Sequence, residues 1–184
     1  MSRVWLVRHA ASTALPALAV GATDPPLSDH GREQAQRLAE EMATRPLVRI
    51  LSSDRQRALD TARIVAAPHR LAVEPTSALR EIDFGAWEGR LLADLWIEEP
   101  AAAEEWTADI RHTPLSFGES LDDLQRRVAA FWASLLPLPA QGEIAIVAHG
   151  GSLAALRATI TGQTIPDAFA NRLPVAGAIA LNLS

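Results

Sequence analysis

The chain has 184 residues, of which 48% are hydrophobic and 21% are charged. This length and composition exclude an intrinsically disordered chain and predict a single domain over residues 1–184 with a substantial core. The formal net charge of -5 argues against broad binding to nucleic acids or anionic membranes, and the lack of cysteine excludes disulfides, thiolate metal sites and thiol nucleophiles.

The N-terminal sequence MSRVWLVRHA is too short and too polar for a signal peptide. No apolar run in the chain approaches the roughly 18 residues that a membrane span requires. We therefore expect a cytoplasmic protein that does not enter a membrane.

The first half of the chain predicts short apolar strands that alternate with helices. Ser28 or Asp29 is suited to cap the first helix, because both side chains can accept a hydrogen bond from the backbone. Pro68 is expected to end the second helix. The predicted elements, in order, are a strand at 3–8, a helix within 22–43, a strand at 47–53, a helix at 54–67 and a strand at 71–75.

The second half continues this alternation after a segment, about 85–118, that has no clear period. This segment contains three of the five tryptophans, and we interpret it as a short insertion that lies over the sheet. Its tryptophans are expected to pack in the core or within the insertion, and one of them is a candidate to line a pocket. Ser120 is the expected cap of the helix that follows. The predicted elements are a helix at 120–136, a strand at 143–151, a helix at 152–162 and a last strand at 175–183.

Alternating strands and helices indicate an α/β fold, here a three-layer α/β/α sandwich around a mostly parallel sheet. The insertion is expected over the C-terminal edge of the strands. In such sheets ligands bind beyond the carboxyl ends of the strands. Polar residues at the end of each predicted strand are therefore the candidates for a ligand site.

Two predicted strands end in histidine. The first ends in Arg8 and His9, and the second ends in His149 followed by Gly150 and Gly151. The helix after His149 should direct its free N–H groups at the same edge, which suits an anion. A third strand brings Ser52 and Ser53 to this edge, and the helix after it carries Arg55 and Arg57, both expected in its first turn.

Two histidines and two arginines at one edge suit phosphoryl transfer. A neutral imidazole can attack phosphorus and carry the phosphoryl group, while arginines hold the dianion and stabilise the charge on its oxygens. The leaving oxygen then needs a proton from an acid. Glu81 is the first candidate for this acid, and Asp83 is the alternative. The chemistry alone does not show whether Arg55 or Arg57 binds the phosphate.

Each of these residues also has a purely structural explanation. His9 and His149 could be hydrogen-bonded histidines at strand ends, and Arg8 could form a buried ion pair with Asp60. Arg57 could be an ordinary exposed helix residue. The convergence of several such residues on one edge favours the functional interpretation.

The segments that carry these residues resemble the histidine phosphatase superfamily, also called the phosphoglycerate-mutase-like family. LVRHA resembles its RHG motif, SSDRQRALDTA its SSPLxRAxxTA segment, LREIDFGAWEG its LxExxFGxWEG segment and IVAHGG its VxHGG motif. The segments GATDPPLSDHGREQA and FGESLDDLQRRV also resemble family segments, and all occur in family order from about residue 4 to residue 160.

The resemblance implies a role for each matched residue. His9 corresponds to the phosphorylated nucleophile, Arg8 and Arg57 to the phosphate-binding arginines, His149 to the second histidine at the transferring group and Glu81 to the proton donor. The spacing of the SSPLxRAxxTA motif thus selects Arg57 rather than Arg55.

The chain departs from the family motif directly after the nucleophile. Ala10 and Ala11 stand where the family often has Gly-Glu, so one polar contact to the substrate is either missing or supplied by Ser12 or Thr13. We include Ser12 and Gly150 among the predicted substrate-binding residues, with Arg8, Arg57 and His149.

The resemblance implies a metal-independent phosphatase that needs no cofactor and acts on a small phosphorylated metabolite. The insertion is shorter than in the classical mutases of the family, which favours hydrolysis because water can reach the phosphohistidine. The α-ribazole-phosphate phosphatase branch is similar in its motifs, and a different or broader phosphomonoester specificity is equally compatible with them. The sequence also leaves open phosphoglycerate-mutase-type transfer, a phosphate-binding pseudoenzyme and a metallohydrolase.

Overall fold

The computed structural model describes residues 2–14, 17–109, 111–114 and 117–183. Residues 110, 115 and 116 of the predicted insertion, and residues 1, 15, 16 and 184 of the predicted domain, lie outside this part of the chain. The strands are β1 (Ser2–Arg8), β2 (Leu47–Ser53), β3 (Val73–Thr76), β4 (Glu143–Ala148) and β5 (Ala178–Leu183). The α-helices are α1 (Asp29–Met42), α2 (Gln56–Ala66), α3 (Leu92–Glu98), α4 (Pro100–Ala108), α5 (Leu121–Ser134), α6 (Gly150–Thr161) and α7 (Ile165–Ala170).

The five strands form one sheet in the order β3-β2-β4-β1-β5. The strands β3, β2, β4 and β1 run parallel, and β5 pairs antiparallel with β1 at the edge. The prediction of an α/β fold around a mostly parallel sheet is therefore confirmed.

The helices cover both faces of the sheet because side chains alternate along each strand. Val4 and Leu6 of β1 belong to a core formed with α5 and α6. Val7, on the opposite face, belongs to a second core formed with α1 and α2. The same alternation in β4 directs Ile146 to the first core and Val147 to the second, which produces the predicted three layers.

Two predicted helix caps are confirmed. The Ser28 side chain accepts a hydrogen bond from the backbone of Gly31 at 3.0 Å at the start of α1. The Ser120 side chain accepts from the backbone of Asp123 at 3.1 Å, and the Asp123 carboxylate accepts in return from the Ser120 backbone. This reciprocal pair is a capping box, which fixes where α5 begins.

Several predicted boundaries are wrong. The helix α2 begins at Gln56 and not at residue 54, because Arg55 has an extended backbone and is the N-cap rather than a first-turn residue. The helix α6 begins at Gly150, two residues earlier than predicted, since the extended backbone of His149 turns directly into it. The strand β3 covers Val73–Thr76 instead of 71–75.

The helix α7 was not predicted. At six residues it is too short to display a helical period. Its start nevertheless has a recognisable pattern, in which the Thr164 side chain accepts from the Asp167 backbone and proline occupies the first turn. This capping pattern, read in TIPD, could have revealed it.

The segment predicted as an insertion contains α3, α4 and a short 3-10 helix at Gly85–Trp87. Trp87 is buried in the larger core, and its ring lies edge-on to Trp106 with the ring centroids 5.7 Å apart. Trp96 is 48% exposed, so the prediction that it packs is wrong. None of the helices in the described part of the chain is both long and apolar enough to cross a membrane.

Candidate active site

The register of the sheet brings the two histidines together. In the parallel pair β1 and β4, Arg8 lies opposite Ala148. The next residues, His9 and His149, therefore leave the sheet at the same level, and the His9 backbone donates to the Ala148 carbonyl at 2.9 Å. The two imidazole rings meet edge to face with centroids 5.0 Å apart.

The surroundings of His9 determine the tautomer and the charge of its ring. Its Nδ1 lies 2.8 Å from the carbonyl oxygen of Ala10. Since a carbonyl only accepts, Nδ1 carries the proton and the lone pair is on Nε2. Burial, opposed by the hydrogen bond to Ala10 and assisted by the charges of Arg57 and Arg8, lowers the pKa of His9 from 6.5 to about 3. The ring is therefore neutral at physiological pH.

His149 is fully buried beside His9. Its Nε2 lies 2.9 Å from the Ser53 hydroxyl at the end of β2, so three neighbouring strands contribute to one site. Burial lowers the pKa of His149 well below its usual value, and the charges of Arg57 and Arg8 add to this effect. Its Nδ1 is buried without a hydrogen-bond partner among the described residues.

Arg8 is held beside the histidines by the backbone. Its Nη1 donates to the Leu173 carbonyl at 2.8 Å. The predicted possibility of an ion pair with Asp60 is wrong, because the Asp60 carboxylate pairs with Arg63 at 3.0 Å. A Cβ on Gly150 would lie 3.2 Å from the Arg8 guanidinium carbon, so this glycine allows the close approach. Burial lowers the pKa of Arg8, with Glu81 opposing the shift.

Arg57 is 1% exposed, so the interpretation as an ordinary exposed arginine is wrong. Its two terminal nitrogens donate to the carbonyls of Thr23 at 2.9 Å and Val20 at 3.1 Å. Asp24 is its nearest carboxylate, at 3.8 Å. Burial lowers the pKa of Arg57, and Glu81 and Asp24 oppose the shift.

The buried guanidinium of Arg57 and the partly buried guanidinium of Arg8, beside two neutral histidines, favour an anionic ligand, because charges removed from water require compensation. Several buried side-chain nitrogens at this site also lack a hydrogen-bond partner among the described residues. Besides the Nδ1 of His149, the Nε atoms of Arg8 and Arg55 are buried without a hydrogen-bond partner among the described residues. Unpaired buried polar groups are rare in native proteins, and a catalytic role or a bound ion or water is among their explanations.

Glu81 lies at the same edge but binds the protein itself. Its carboxylate accepts from the backbone N–H groups of Gly151 at 2.9 Å and Ser152 at 3.1 Å, at the start of α6. The sequence predicted that the free N–H groups at the start of this helix would face a bound anion. Two of them instead donate to the carboxylate of Glu81. A Cβ on Gly151 would lie 2.3 Å from Glu81 Oε1, so only glycine allows this contact.

Two further candidates, Asp83 and Ser12, lie in loops. Asp83 accepts a hydrogen bond from the Gly85 backbone at 2.8 Å through one carboxylate oxygen. Ser12 forms an isolated antiparallel bridge with Leu27 between β1 and α1. Among the residues that the structure describes, no group of three or more His, Asp or Glu side chains is arranged to hold a metal ion.

Comparison with known proteins identifies the family. The family model described as histidine phosphatase superfamily (branch 1) matches residues 4–183. The chain belongs to the histidine phosphatase superfamily. The resemblance inferred from the motifs is therefore confirmed.

Relatives of this chain are named for different activities. An adenosylcobalamin/alpha-ribazole phosphatase of Escherichia coli is 34% identical over 162 residues, which are 88% of this chain and 80% of that protein. A protein of Proteus mirabilis named "probable phosphoglycerate mutase" is 34% identical over 163 residues, 88% of this chain and 76% of its own length.

Solved structures have the same fold. The alpha-ribazole phosphatase of Shigella flexneri has a TM-score of 0.87 at 31% identity, covering 99% of this chain and 91% of its own. The mycobacterial glucosyl-3-phosphoglycerate phosphatase has a TM-score of 0.87 at 29% identity, covering 99% and 90%. The prediction of an enzyme of the phosphatase class agrees with the names of these relatives.

Proposed function

We propose that this chain is a metal-independent phosphomonoesterase that hydrolyses a small phosphorylated metabolite through a phosphohistidine on His9. One observation carries the proposal. His9 is buried and neutral, its Nε2 has a free lone pair, and it lies beside His149, the buried Arg57 and the partly buried Arg8. An electron pair next to an anion-binding cluster is what attack on a phosphate requires.

In the first step the lone pair of His9 Nε2 attacks the phosphorus. The phosphorus–oxygen bond to the alcohol breaks, and its electron pair stays on the leaving oxygen. Arg8, Arg57 and His149 stabilise the charge on the remaining phosphoryl oxygens. The carboxyl group of Glu81 gives its proton to the leaving oxygen, which departs as the alcohol.

In the second step water attacks the phosphorus of the phosphohistidine. The Glu81 carboxylate takes a proton from this water, and the phosphorus–nitrogen bond breaks. The electron pair of that bond returns to His9 Nε2. Inorganic phosphate leaves, and both side chains are restored to their starting protonation states.

The test is release of inorganic phosphate from 4-nitrophenyl phosphate with a chelator present. We expect the wild type to turn over, and His9→Ala to lose roughly three or more orders of magnitude in kcat/KM, because a covalent route has no substitute without its nucleophile. The matched control is His30→Ala, an exposed histidine on α1, which should retain wild-type activity. A denaturing quench in alkali, where the P–N bond of a phosphohistidine is stable, should trap ³²P-labelled protein from a ³²P-labelled substrate with the wild type and fail to do so with His9→Ala.

Three different results would contradict the proposal, each in favour of another mechanism or function. Turnover that survives in His9→Ala would exclude His9 as the nucleophile. Turnover abolished by the chelator would favour a metallohydrolase. Phosphate binding without turnover of any substrate would favour a pseudoenzyme.

The natural substrate is the finer part of the proposal. Relatives named for alpha-ribazole phosphate, glucosyl-3-phosphoglycerate and phosphoglycerate supply three candidates. We favour hydrolysis of an alpha-ribazole-type phosphomonoester, because the motifs resemble that branch. With 3-phosphoglycerate as substrate, appearance of 2-phosphoglycerate instead of free phosphate would identify a mutase.

A further inference from the structure

Two cavities meet at Glu81. One, of about 280 Å³, is polar, and its lining includes Arg55, Arg80 and Arg127. The second, of about 310 Å³, is mostly apolar, and its lining includes Phe84, Leu92, Trp106, Leu121 and Phe169. We refer to the second, as defined by these five residues, as the aromatic cavity.

The position of Glu81 determines where the substrate's alcohol portion lies. If Glu81 protonates the leaving oxygen, as in the proposed function on which this inference rests, the rest of the alcohol must extend from that oxygen. Glu81 lines both cavities, so the alcohol enters either the polar or the aromatic one. The two cavities would select different substrate classes.

The polar cavity already satisfies most of its own charges. Arg80 makes two hydrogen bonds to the Asp54 carboxylate, at 2.8 and 2.5 Å. Arg127 likewise makes two to the Glu119 carboxylate, at 2.9 and 2.7 Å. An acidic alcohol would have to compete with these carboxylates, and Arg55 is the cation best placed to bind it. Charge complementarity therefore disfavours this cavity.

The aromatic cavity has the opposite character. Three of its walls are aromatic rings, from Phe84, Trp106 and Phe169. Its volume lies at the lower end of the range for pockets that bind small molecules, about 300–1,000 Å³. Arg172 also lines it, and its guanidinium carbon lies 5.4 Å from the centroid of the Phe169 ring. A flat apolar group would bury its surface here without displacing an ion pair.

Gly151 joins the aromatic cavity to the proposed chemistry. A Cβ on this glycine would lie 2.3 Å from Glu81 Oε1 and 3.1 Å from the Phe169 ring. The Glu81 carboxyl group and the Phe169 ring therefore both lie close to Gly151. A ring bound in the cavity would therefore lie close to a leaving oxygen that Glu81 protonates.

We propose that the aromatic cavity binds the alcohol portion of the substrate, and that Trp106 and Phe169 select phosphomonoesters of flat, largely apolar alcohols. Small hydroxylated or acidic alcohols bury no ring surface there and are poorer substrates. Trp106 belongs to the insertion and Phe169 to α7, so both lie outside the motif segments that carry the chemistry.

The test compares 2-phenylethyl phosphate, glycerol 3-phosphate and 3-phosphoglycerate, which all have primary alcohols as leaving groups. We expect kcat/KM to be roughly tenfold or more higher for the phenylethyl ester. Trp106→Ala and Phe169→Ala should each lower the ratio of phenylethyl to glycerol turnover by roughly tenfold. Trp132→Ala removes a partly buried tryptophan that packs on the core from α5, and it should leave this ratio unchanged.

Two results would overturn the inference. One is a preference for 3-phosphoglycerate that is lost in Arg55→Ala, which would assign the alcohol to the polar cavity. The second is an equal fall in kcat/KM for all three substrates in Trp106→Ala, which would make the tryptophan merely structural.

A binding measurement separates this inference from the proposed function. Calorimetry with 2-phenylethylphosphonate and methylphosphonate, which lack the cleavable ester bond, needs no turnover. Tighter binding of the phenylethyl compound that is lost in Trp106→Ala supports the cavity assignment even if no substrate is hydrolysed. Equal binding of the two, or binding of neither, overturns the assignment even in an active enzyme.

Discussion

The proposed chemistry depends on what each side chain donates or accepts. The Ala10 carbonyl assigns the proton of His9 to Nδ1, and burial keeps the ring neutral. Glu81 is tied to the backbone N–H groups of Gly151 and Ser152, which orients its carboxyl group toward the shared edge of two cavities. The roles of these two side chains can be tested separately, because only one of them concerns the leaving group.

We expect Glu81→Gln to slow substrates according to how much their leaving oxygen needs a proton. For glycerol 3-phosphate, an alkoxide leaving group, kcat/KM should fall roughly 10²- to 10⁴-fold, since general acid catalysis is lost. For 4-nitrophenyl phosphate, whose phenolate leaves without a proton, the fall should be much smaller. The measurement is kcat/KM of both substrates for the wild type and the variant.

Asp83→Asn is the matched comparison, because Asp83 is the alternative proton donor two residues further along the chain. If the substrate-dependent loss occurs in Asp83→Asn and not in Glu81→Gln, the assignment of Glu81 is wrong. An equal loss for both substrates in Glu81→Gln would indicate a structural role at the start of α6.

At the scale of elements, the start of α6 is the most constrained feature of the site. The helix follows His149 directly, and its first two residues are glycines that contact catalytic candidates on two sides. Gly150 accommodates the Arg8 guanidinium, and Gly151 accommodates Glu81. Packing against side chains, and not a special backbone angle, explains why these two positions are glycine, since both lie within a regular helix.

We therefore expect Gly151→Ala to lower kcat/KM while the protein stays folded. The added methyl group would displace the Glu81 carboxylate, whereas alanine itself favours a helix. The control is Gly162→Ala at the opposite end of α6, where φ is 75° and no atom lies near the added Cβ. That control should lose about 1 kcal/mol of stability from backbone strain and keep its kcat. Urea unfolding and phosphate release measure the two effects.

The reverse pattern would contradict this account of α6. An active Gly151→Ala variant with unchanged kinetics would mean that Glu81 can move aside without cost, so that its contact with the helix is dispensable.

At the scale of the whole molecule, the sheet has a core on each face and places the site at the ends of the strands. We propose that residues 1–184 form one domain, because both cores contain side chains from the same strands. The site combines two buried histidines, whose pKa values are lowered, with the charges of Arg8 and Arg57. Acid should therefore destabilise the whole fold.

The pH dependence of stability follows from the lowered pKa of His9. Between pH 6.5 and about 3 the unfolded chain binds a proton at this residue and the folded chain does not. The free energy of unfolding therefore falls as the pH drops below 6.5, by about 1.4 kcal/mol per pH unit for one such histidine. From pH 7 to pH 5 the contribution is about 2 kcal/mol.

The measurement is urea unfolding at pH 7 and pH 5 in a buffer without phosphate. His9→Asn should lose about 2 kcal/mol less than the wild type over this interval, because it lacks the buried group. His30→Asn changes an exposed histidine and should behave like the wild type. Equal losses in the wild type and His9→Asn would mean that His9 is protonated as easily in the folded protein as in the unfolded chain.

Much of the fold could be predicted because its signals are local. The apolar runs of the strands, the caps Ser28 and Ser120 and the stop at Gly162 each act within a few residues of themselves. The predicted boundaries that are wrong depend on single backbone angles, such as the extended Arg55 before α2. The helix α7 was not predicted because six residues are too few to show a helical period.

The spacing of the motifs and the ends of the strands can be read directly along the chain. The amino-acid sequence therefore predicted the family, the mostly parallel α/β architecture and the set of candidate residues. What each residue touches came from the folded protein alone. The register of β1 and β4 places the rings of His9 and His149 with their centroids 5.0 Å apart. The backbone at the start of α6 donates hydrogen bonds to Glu81, and α7 contributes Phe169 to the lining of the aromatic cavity. These contacts join residues up to 140 positions apart, such as His9 and His149, so no local pattern in the chain encodes them.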